Sequence, residues 1–169
     1  MAENDTAAAP ADFQLNGEDT LPQIGMIAQY VKDLSFENPN APAVFQSQVQ
    51  PQIEVQFNIS VNNNGEDVSE VAMKIEVRAV ADSHTVFAIE LVYAGLFGAR
   101  NVSMEQLHPF LYAEAPRLMF PFARRIISDM TRDGGFPPLL LDPVDFASMY
   151  MAQTQQAAQL AESEPAGQA

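Results

Sequence analysis

Apolar and polar residues alternate with a period of two in three successive runs between Pro51 and Tyr93. The apolar positions of these runs are Ile53, Val55, Phe57, Ile59 and Val61, then Val71, Met73, Ile75, Val77 and Ala79, then Phe87, Ile89, Leu91 and Tyr93. Such alternation places one face of a strand on a core and the other in water. Segments rich in Asn, Gly, Asp and Ser separate the runs, and these residues favour turns. The pattern predicts an antiparallel meander with one apolar face.

A shorter alternation precedes the meander. It covers residues 29–37 and ends where Pro39 and Pro42 remove hydrogen-bond donors from the backbone. The connection from there to Pro51 is long for a small domain, and loops of this length often carry function. We therefore expect a short strand followed by a functional loop.

Helix signals follow the meander. Gly95 and Gly98 are expected to end the strand pattern, and Ser103 with Gln106 has the form of a capping box. A short helix is therefore predicted to run from this box to about Glu114.

A longer helix is predicted from Pro116, with a kink or restart at Pro121 and a stop at Gly134 and Gly135. Its apolar stripe includes Leu118, Met119, Phe122, Ile126 and Met130. This stripe is wider than one sheet face requires. It indicates either a contact with a second copy of the chain or a helix that is simply well buried.

An aliphatic connector at residues 136–141 leads to a final helix. Asp142 and Pro143 form a suitable N-cap and first turn, and Phe146, Met149 and Tyr150 follow as an apolar stripe.

The two ends of the chain differ in composition from the part between them. Residues 1–23 and 161–169 are acidic and too poor in large apolar residues to offset their ordering entropy, so we expect disorder there and one folded domain at residues 24–160.

The net charge of −14 restricts the class of partner. Nucleic acids and anionic membrane surfaces would be repelled. An acidic surface serves solubility in most proteins, and it can also receive a basic partner. The absence of Cys fits a reducing compartment, and no apolar run is long enough to cross or insert into a bilayer. Without the features of a signal peptide, the chain is expected to be cytosolic.

Few residues support catalysis or metal binding. His84 is expected in a turn and His108 on a short helix, and neither has another His or a Cys at metal-ligand spacing. The sequence contains no nucleophile elbow, phosphate-cradling glycine loop or dinucleotide fingerprint. Asp142 and Asp145 are explained better by helix capping than by acid–base chemistry. We therefore expect no enzyme, no metal and no cofactor.

Several aromatic and aliphatic residues lie outside the predicted core. Phe45 and Val49 lie in the long loop, Phe136 in the connector, and Phe146 and Tyr150 on the final helix. If the loop and the helix flank the meander, they form a groove that accepts extended polypeptide through side-chain pockets. Alternatively, these residues close the core.

Three segments carry a specific pattern: VKDLSFENPNAP at residues 31–42, LMFPFAR at residues 118–124, and GFPPL followed by DPVDF within residues 135–146. Together they closely resemble SecB, the bacterial protein-export chaperone family, from about Tyr30 to Tyr150. The resemblance implies an α+β fold in which a four-stranded antiparallel sheet packs beside a long, kinked helix and a C-terminal helix. It also implies a homotetramer, a dimer of dimers assembled through the long helices, which would account for the wide apolar stripe.

The resemblance further implies an ATP-independent holdase that keeps exported precursors unfolded and delivers them to the translocation motor SecA. The family's contact for the basic, zinc-bearing tail of SecA falls on Asp33, Glu37 and Glu90, and Ala88 stands where the family has a leucine. Asp33 and Glu37 share strand parity, which would place them about 13 Å apart on one face. Any zinc in this picture belongs to the partner.

The family's substrate groove lies between the loop after the first strand, the second strand and the last helix. It corresponds here to Phe45, Val49, Ile53, Val55, Phe57, Phe136, Phe146 and Tyr150. Val49 stands where the family often has an aromatic residue, which predicts a shallower pocket.

Two other functions compete with the holdase hypothesis. An oligomeric adaptor with the same fold would dock one defined partner or small ligand, whereas a holdase binds many unfolded chains and no native ones. An enzyme that depends on His84 and His108 is the third hypothesis, and replacing both residues would test it.

Overall fold

Four strands come first along the chain, and three helices follow them within residues 20–163, which the computed structural model describes. The elements are β1 (Gln23–Glu37), a 3₁₀ turn (Ala43–Gln46), β2 (Gln52–Asn63), β3 (Val68–Ala81), β4 (His84–Arg100), α1 (Met104–Pro109), a π turn (Phe110–Glu114), α2 (Ala115–Asp133) and α3 (Phe146–Ser163). The strands form one antiparallel sheet in the order β1-β4-β3-β2. This arrangement confirms the predicted α+β fold with its four-stranded sheet.

The meander of β2, β3 and β4 has the predicted register. Met73 of β3 pairs with Ile59 of β2 on one side and with Tyr93 of β4 on the other, so the apolar positions of the three strands share one face. Asp82 and Ser83 form the tight turn between β3 and β4 with φ angles of 47° and 63°. Such short polar residues tolerate this left-handed conformation, which matches the twist of a hairpin.

Strand β1 begins at Gln23, earlier than the predicted start at residue 29. Its pairing with β4 shifts register between Met26 and Ala28 and again between Val31 and Asp33. Each shift is a β-bulge, which adds one residue to a strand and interrupts the period of two. The alternation therefore indicated only the second half of β1.

The predicted disordered ends fall mainly on residues 1–19 and 164–169, which lie outside the described residues. At the two boundaries the folded part is slightly longer than predicted. Gln23 belongs to β1, and residues 161–163 belong to α3.

The expectation that Gly95 and Gly98 end the strand is wrong, because β4 continues through both. A methyl group at Gly95 would lie 2.9 Å from the Met119 Sδ atom and 2.9 Å from the Phe97 ring, so this glycine lets α2 approach the sheet. A methyl group at Gly98 would lie 3.3 Å from the tip of the Ile27 side chain on the other face. Both glycines serve close packing, which is a common reason for glycine inside a strand.

α1, the π turn and α2 form one continuous helical segment, whereas the prolines predicted two separate helices. Ser103 caps its start by accepting a hydrogen bond from the Gln106 N–H, as the capping box predicted. Pro116 lacks the N–H that would bond to the Tyr112 carbonyl, and the π turn that contains Tyr112 widens the helix there. Pro121 does not interrupt α2. The irregularity therefore precedes Pro116 and is absent at Pro121.

The core lies between α2 and the apolar face of the sheet. Fully buried side chains include Met73, Ile75, Leu91, Phe97 and Ile127. Removing such surface from water contributes about 25 cal/mol per Å² of apolar area, the main favourable term in folding. In the single chain, α2 covers one face of the sheet, and we call the other face the open face.

The connector after α2 is held by a buried hydroxyl. α2 ends at Gly134 and Gly135 as predicted, and Gly135 adopts a φ angle of 90°. The Thr131 side chain then accepts a hydrogen bond of 2.9 Å from the Leu139 N–H. Because Thr131 is completely buried, this bond fixes the connector against the end of α2.

α3 begins three residues after the position that Asp142 and Pro143 predicted, because Asp145 is the residue that caps it. The Asp145 carboxylate accepts a hydrogen bond of 3.0 Å from the Ser148 N–H, and this bond keeps the pKa of the Asp145 carboxyl below its ordinary value. Phe146 follows directly and packs on Phe120 with ring centroids 5.7 Å apart. The first residue of α3 is therefore an anchor in the core.

Candidate functional site

An apolar cavity of about 470 Å³ opens at one end of the sheet. Its walls come from the loop after β1, the start of β2, the β3–β4 hairpin and the connector after α2. Four predicted groove residues line it: Phe45, Val49, Ile53 and Phe136. β2 is an outer strand of the described sheet and begins beside the cavity, so its outward backbone groups can pair with an added strand.

Aromatic rings connect the cavity wall to the core. The ring centroids of Phe45 and Phe136 lie 5.4 Å apart, and those of Phe136 and Phe87 lie 4.9 Å apart. Phe45 and Val49 nevertheless remain 50% and 48% exposed. Gly135 leaves room for this packing, because a methyl group there would lie 2.9 Å from the Phe45 ring. The wall is thus fixed by the core and still presents apolar surface to solvent.

The other four predicted groove residues do not line this cavity. They are Val55, Phe57, Phe146 and Tyr150. The Phe57 ring lies 6.1 Å from Phe120 and 6.3 Å from Phe146 between centroids, and Phe146 is only 3% exposed. Val55 is partly buried along β2. Phe57 and Phe146 therefore belong to an aromatic cluster beneath β2, which adjoins the core.

Tyr150 lies in a third group, with His108 and Tyr112. His108 Nδ1 lies 2.8 Å from the Tyr150 hydroxyl, and the Tyr112 and Tyr150 rings stack with centroids 6.2 Å apart. These contacts fasten α3 to α1 and the π turn. The sequence offered no signal for this role of His108, because the contact joins residues that are distant along the chain.

The four residues of the predicted SecA contact share the open face of the sheet. In the pairing of β1 with β4, Glu37 lies opposite Ala88 and Ser35 lies opposite Glu90. The second bulge of β1 precedes Asp33, so Asp33 and Glu37 keep the same parity. The structure therefore brings together the residues that the resemblance selected.

Charged residues of β2 and β3 extend this group. The register places Glu54 beside Arg78 and Glu76 beside Glu90. A depression of about 300 Å³ lies among them, lined in part by Glu37, Glu54, Glu76, Arg78 and Glu90. We call the set Asp33, Glu37, Glu54, Glu76 and Glu90, with Lys74 and Arg78, the acidic face. The polar positions of the alternating runs already contained this signal, but the resemblance did not point to β2 and β3.

Lys74 pairs with two carboxylates of the acidic face. Its Nζ atom lies 2.5 Å from Glu90 Oε1 and 3.0 Å from Glu76 Oε1. The hydrogen bond to Glu90, followed by that to Glu76, raises the pKa of the Lys74 ammonium. One cation on the central strand thus neutralises part of the acidic face.

A buried carboxylate, Glu70, lies on the open face near the start of β3, at the opposite end of the sheet from the cavity. Glu70 is 6% exposed and accepts hydrogen bonds from the Tyr30 hydroxyl and from the Lys32 ammonium, the latter at 2.6 Å. Lys32 and then Tyr30 lower the pKa of the Glu70 carboxyl, although burial acts in the opposite direction. The hydrogen bond to Glu70, together with burial, raises the pKa of Tyr30 to about 12. This cluster is fully paired and serves structure.

The five residues of the stripe predicted for contact between copies differ in burial. Leu118 and Phe122 are 38% and 44% exposed, and Ile126 and Met130 are partly buried. Met119 corrects the prediction, because it is completely buried and packs on the sheet of its own chain. The exposed stripe on α2 therefore excludes Met119.

Metal-binding and membrane-spanning features are absent from the described part of the chain. Within residues 20–163, no three His, Cys, Asp or Glu side chains are grouped so as to hold a metal ion. His84 stands at the start of β4, where its Nδ1 atom lies 2.7 Å from the Asp82 carbonyl. Over the same residues, no helix has both the length and the apolar character that a membrane span requires.

Comparison with known proteins places the chain in a family. Residues 17–157 match the profile described as preprotein translocase subunit SecB. The chain is 62% identical over 159 residues to the protein-export protein SecB of Rhizorhabdus wittichii, which covers 94% of this chain and 96% of that protein. It is 57% identical over 169 residues to the protein-export protein SecB of Zymomonas mobilis, which covers 100% of both.

Among solved structures, the fold is similar to that of the Mycobacterium tuberculosis SecB-like chaperone Rv1957 in complex with a ChAD peptide from the HigA1 antitoxin. The TM-score is 0.60 at 16% identity, and the match covers 72% of this chain and 90% of that one. At 16% identity this structural likeness supports the fold alone. The family assignment rests on the sequence matches, which extend over nearly the whole chain. The protein belongs to the SecB family of protein-export chaperones.

Proposed function

We propose that the cavity and the adjoining edge of β2 bind extended segments of unfolded precursor proteins and hold them ready for export without ATP. The half-exposed apolar wall of Phe45 and Val49 beside an outer strand is the observation that carries this proposal. Apolar pockets and main-chain hydrogen bonds do not require a defined sequence, so many clients can bind. Folded proteins hide such segments and are ignored. The activity requires only binding surfaces, and we assign it to the cytoplasm.

Affinity in this proposal comes from several weak contacts. Each apolar side chain that enters the cavity supplies about 1.5–3 kcal/mol before ordering costs are subtracted. We propose a homotetramer, a dimer of dimers, in which Leu118 and Phe122 on α2 contact other copies of the chain. One long client can then occupy cavities on several subunits, and effective concentration makes the overall binding tight.

Light scattering combined with client capture tests the assembly and the holdase activity together. The protein alone should have the mass of about four chains, in line with a closed symmetric oligomer. It should capture a reduced, slow-folding precursor and should not bind the native form of the same protein. A monomer, or a tetramer that does not distinguish the two forms, would contradict the proposal. Capture of a single defined partner would favour the adaptor instead.

The cavity itself is tested by replacing Phe45 and Val49 with Ala. Because both residues present apolar surface to the cavity, the double variant should bind the unfolded precursor about tenfold more weakly or worse, roughly 1.4 kcal/mol. Leu160→Ala is the matched control, since Leu160 is 63% exposed near the end of α3, away from the cavity. Equal losses in both variants would show that the cavity is not the binding site.

We further propose that the acidic face receives the basic tail of SecA, so that clients pass from this chaperone to the motor. The support is the grouping of Asp33, Glu37 and Glu90 on one open face, which suits a basic partner through charge complementarity. Such binding between exposed charges should weaken as ionic strength rises.

SecA docking is tested with a charge-matched pair of double variants. Asp33→Asn with Glu37→Gln should reduce the affinity for SecA severalfold at low ionic strength, and less at high ionic strength. Glu66→Gln with Asp82→Asn removes the same number of charges at two exposed turns and should have little effect. Client capture should be unchanged in both. If the turn variant loses as much affinity as the acidic-face variant, binding depends on net charge and the proposed site is wrong.

A further inference from the structure

Of the two cations in the acidic face, Lys74 already pairs with its carboxylates in the free protein. Lys74 Nζ lies 2.5 Å from Glu90 and 3.0 Å from Glu76, and the side chains of all three residues are between 37% and 48% exposed. A basic partner that approaches these two carboxylates therefore meets the Lys74 ammonium, which already occupies one oxygen of each.

The sheet register explains why Lys74 is held there. Glu76 of β3 and Glu90 of β4 stand directly opposite each other, and like charges in this cross-strand position repel. Lys74 lies two residues before Glu76 on the same face, so its flexible stem can place the ammonium between the two carboxylates. An ion pair between exposed groups is weak and exchanges readily, which makes such a cation displaceable.

We propose that Lys74 is a tethered competitor for the basic tail that docks on the acidic face. In the free protein its ammonium pairs with Glu90 and Glu76, and on docking a guanidinium or ammonium of the tail replaces it. Lys74 then turns outward into solvent. This inference rests on the proposed docking of SecA, and it identifies a residue that lowers the affinity and so allows the motor to be released after handover.

Arg78 provides the control that separates competition from general charge. It lies on the same strand and the same face as Lys74, but its neighbours across the sheet are Glu54 and Ala88, not Glu90. Within residues 20–163 it forms no ion pair. Lys74→Met and Arg78→Met therefore remove the same charge from the same face, and only the first releases Glu90 and Glu76.

The test is a titration of SecA into the full-length wild-type protein and into each variant at low and high ionic strength. Both variants should bind more tightly than the wild type because the face becomes more negative. At low ionic strength the SecA affinity of Lys74→Met should be about three- to fivefold higher than that of Arg78→Met. This difference is on the scale of an exposed ion pair. Equal gains, or weaker binding by Lys74→Met, would overturn the inference. Thermal unfolding of both variants confirms that they are folded.

The result also separates this inference from the docking proposal. If Asp33→Asn with Glu37→Gln leaves SecA binding intact, the docking site is wrong and the competitor role fails with it. If that variant loses binding while Lys74→Met and Arg78→Met behave alike, only the competitor role fails. A second measurement follows the Lys74 ammonium by NMR of the isotopically labelled side chain. Its signal should shift toward that of a free lysine when the SecA tail peptide is added, and an unchanged signal with bound peptide would contradict displacement.

Discussion

Adjacent residues of one strand lie in opposite environments in this protein, one buried in the core and the next exposed to solvent. Leu91 of β4 is completely buried beneath α2, whereas Glu90 beside it forms an ion pair with Lys74 on the open face. The same contrast extends over β2, β3 and β4, because their side chains alternate between the two faces. The covered face gains its free energy from apolar burial, which is large, and the open face gains little from exposed charges. The charges of the open face are therefore free to serve binding.

The largest effect is expected from removing apolar volume on the covered face. Leu91→Ala should lower the free energy of unfolding by about 2–5 kcal/mol, because it leaves a cavity under α2. Val92→Ala, one residue later and on the open face, should cost much less. Denaturant unfolding of both variants measures the contrast. Similar losses at the two positions would mean that the open face is also covered in the native assembly.

A second comparison uses the two glycines of β4. Gly95→Ala should destabilise the protein by about 1–3 kcal/mol, since the new methyl group displaces the Met119 sulfur and the Phe97 ring. Gly98→Ala should be nearly neutral, because it meets only the flexible tip of Ile27. Thermal unfolding gives the order of stability. A reversed order would contradict the close approach of α2 to the sheet at Gly95.

Unlike the exposed acids of the open face, Glu70 is buried. Its contribution to the free energy of unfolding should therefore depend on pH. Near pH 7, Glu70→Gln should lower the free energy of unfolding by about 1–3 kcal/mol, since Lys32 and Tyr30 lose a charged partner. Folding lowers the pKa of Glu70 below its ordinary value of 4.5. The stability that the ionised Glu70 contributes to the wild type is therefore fully present above pH 4.5, and it is lost as the pH falls through the folded-state pKa. Unfolding curves should therefore converge in acid.

Tyr30 makes the same cluster sensitive at high pH. Folding raises the pKa of Tyr30 from 10.0 to about 12, so its neutral form is favoured in the native state. The resulting stability is present below pH 10.0 and is lost as the pH rises toward about 12. In Glu70→Gln this alkaline loss should be smaller. Parallel curves for the variant and the wild type across the whole pH range would show that the cluster does not couple to folding.

The smallest effect is expected at exposed acids of the open face. Glu37→Gln combined with Glu54→Gln should change the free energy of unfolding by no more than about 0.5 kcal/mol per substitution, as is usual for exposed positions. Denaturant unfolding is the measurement, and SecA binding by the same protein is the functional comparison. A large loss of stability would mean that the acidic face supports the fold.

Local pattern predicted some elements correctly, although the glycine, proline and Asp142 signals misplaced other element ends. The alternation from Ile53 to Val61 specified β2 and its buried face, and Ser103 specified the start of α1, because each signal involves residues within a few positions of one another. The candidate site was predicted by resemblance and only partly by pattern. Phe45 and Val49 line the cavity, whereas Phe146 is directed into the core.

Other features arise from contacts between distant parts of the chain. The sequence by itself determined the meander, the charge of its polar positions and membership of the SecB family. Only the tertiary structure decided that Gly95 admits α2, that Met119 faces the sheet, and that Lys74 on β3 reaches Glu90 on the neighbouring strand β4. The physical reason is that periodicity assigns a side chain to a face, but packing and cross-strand register determine which neighbour it meets there.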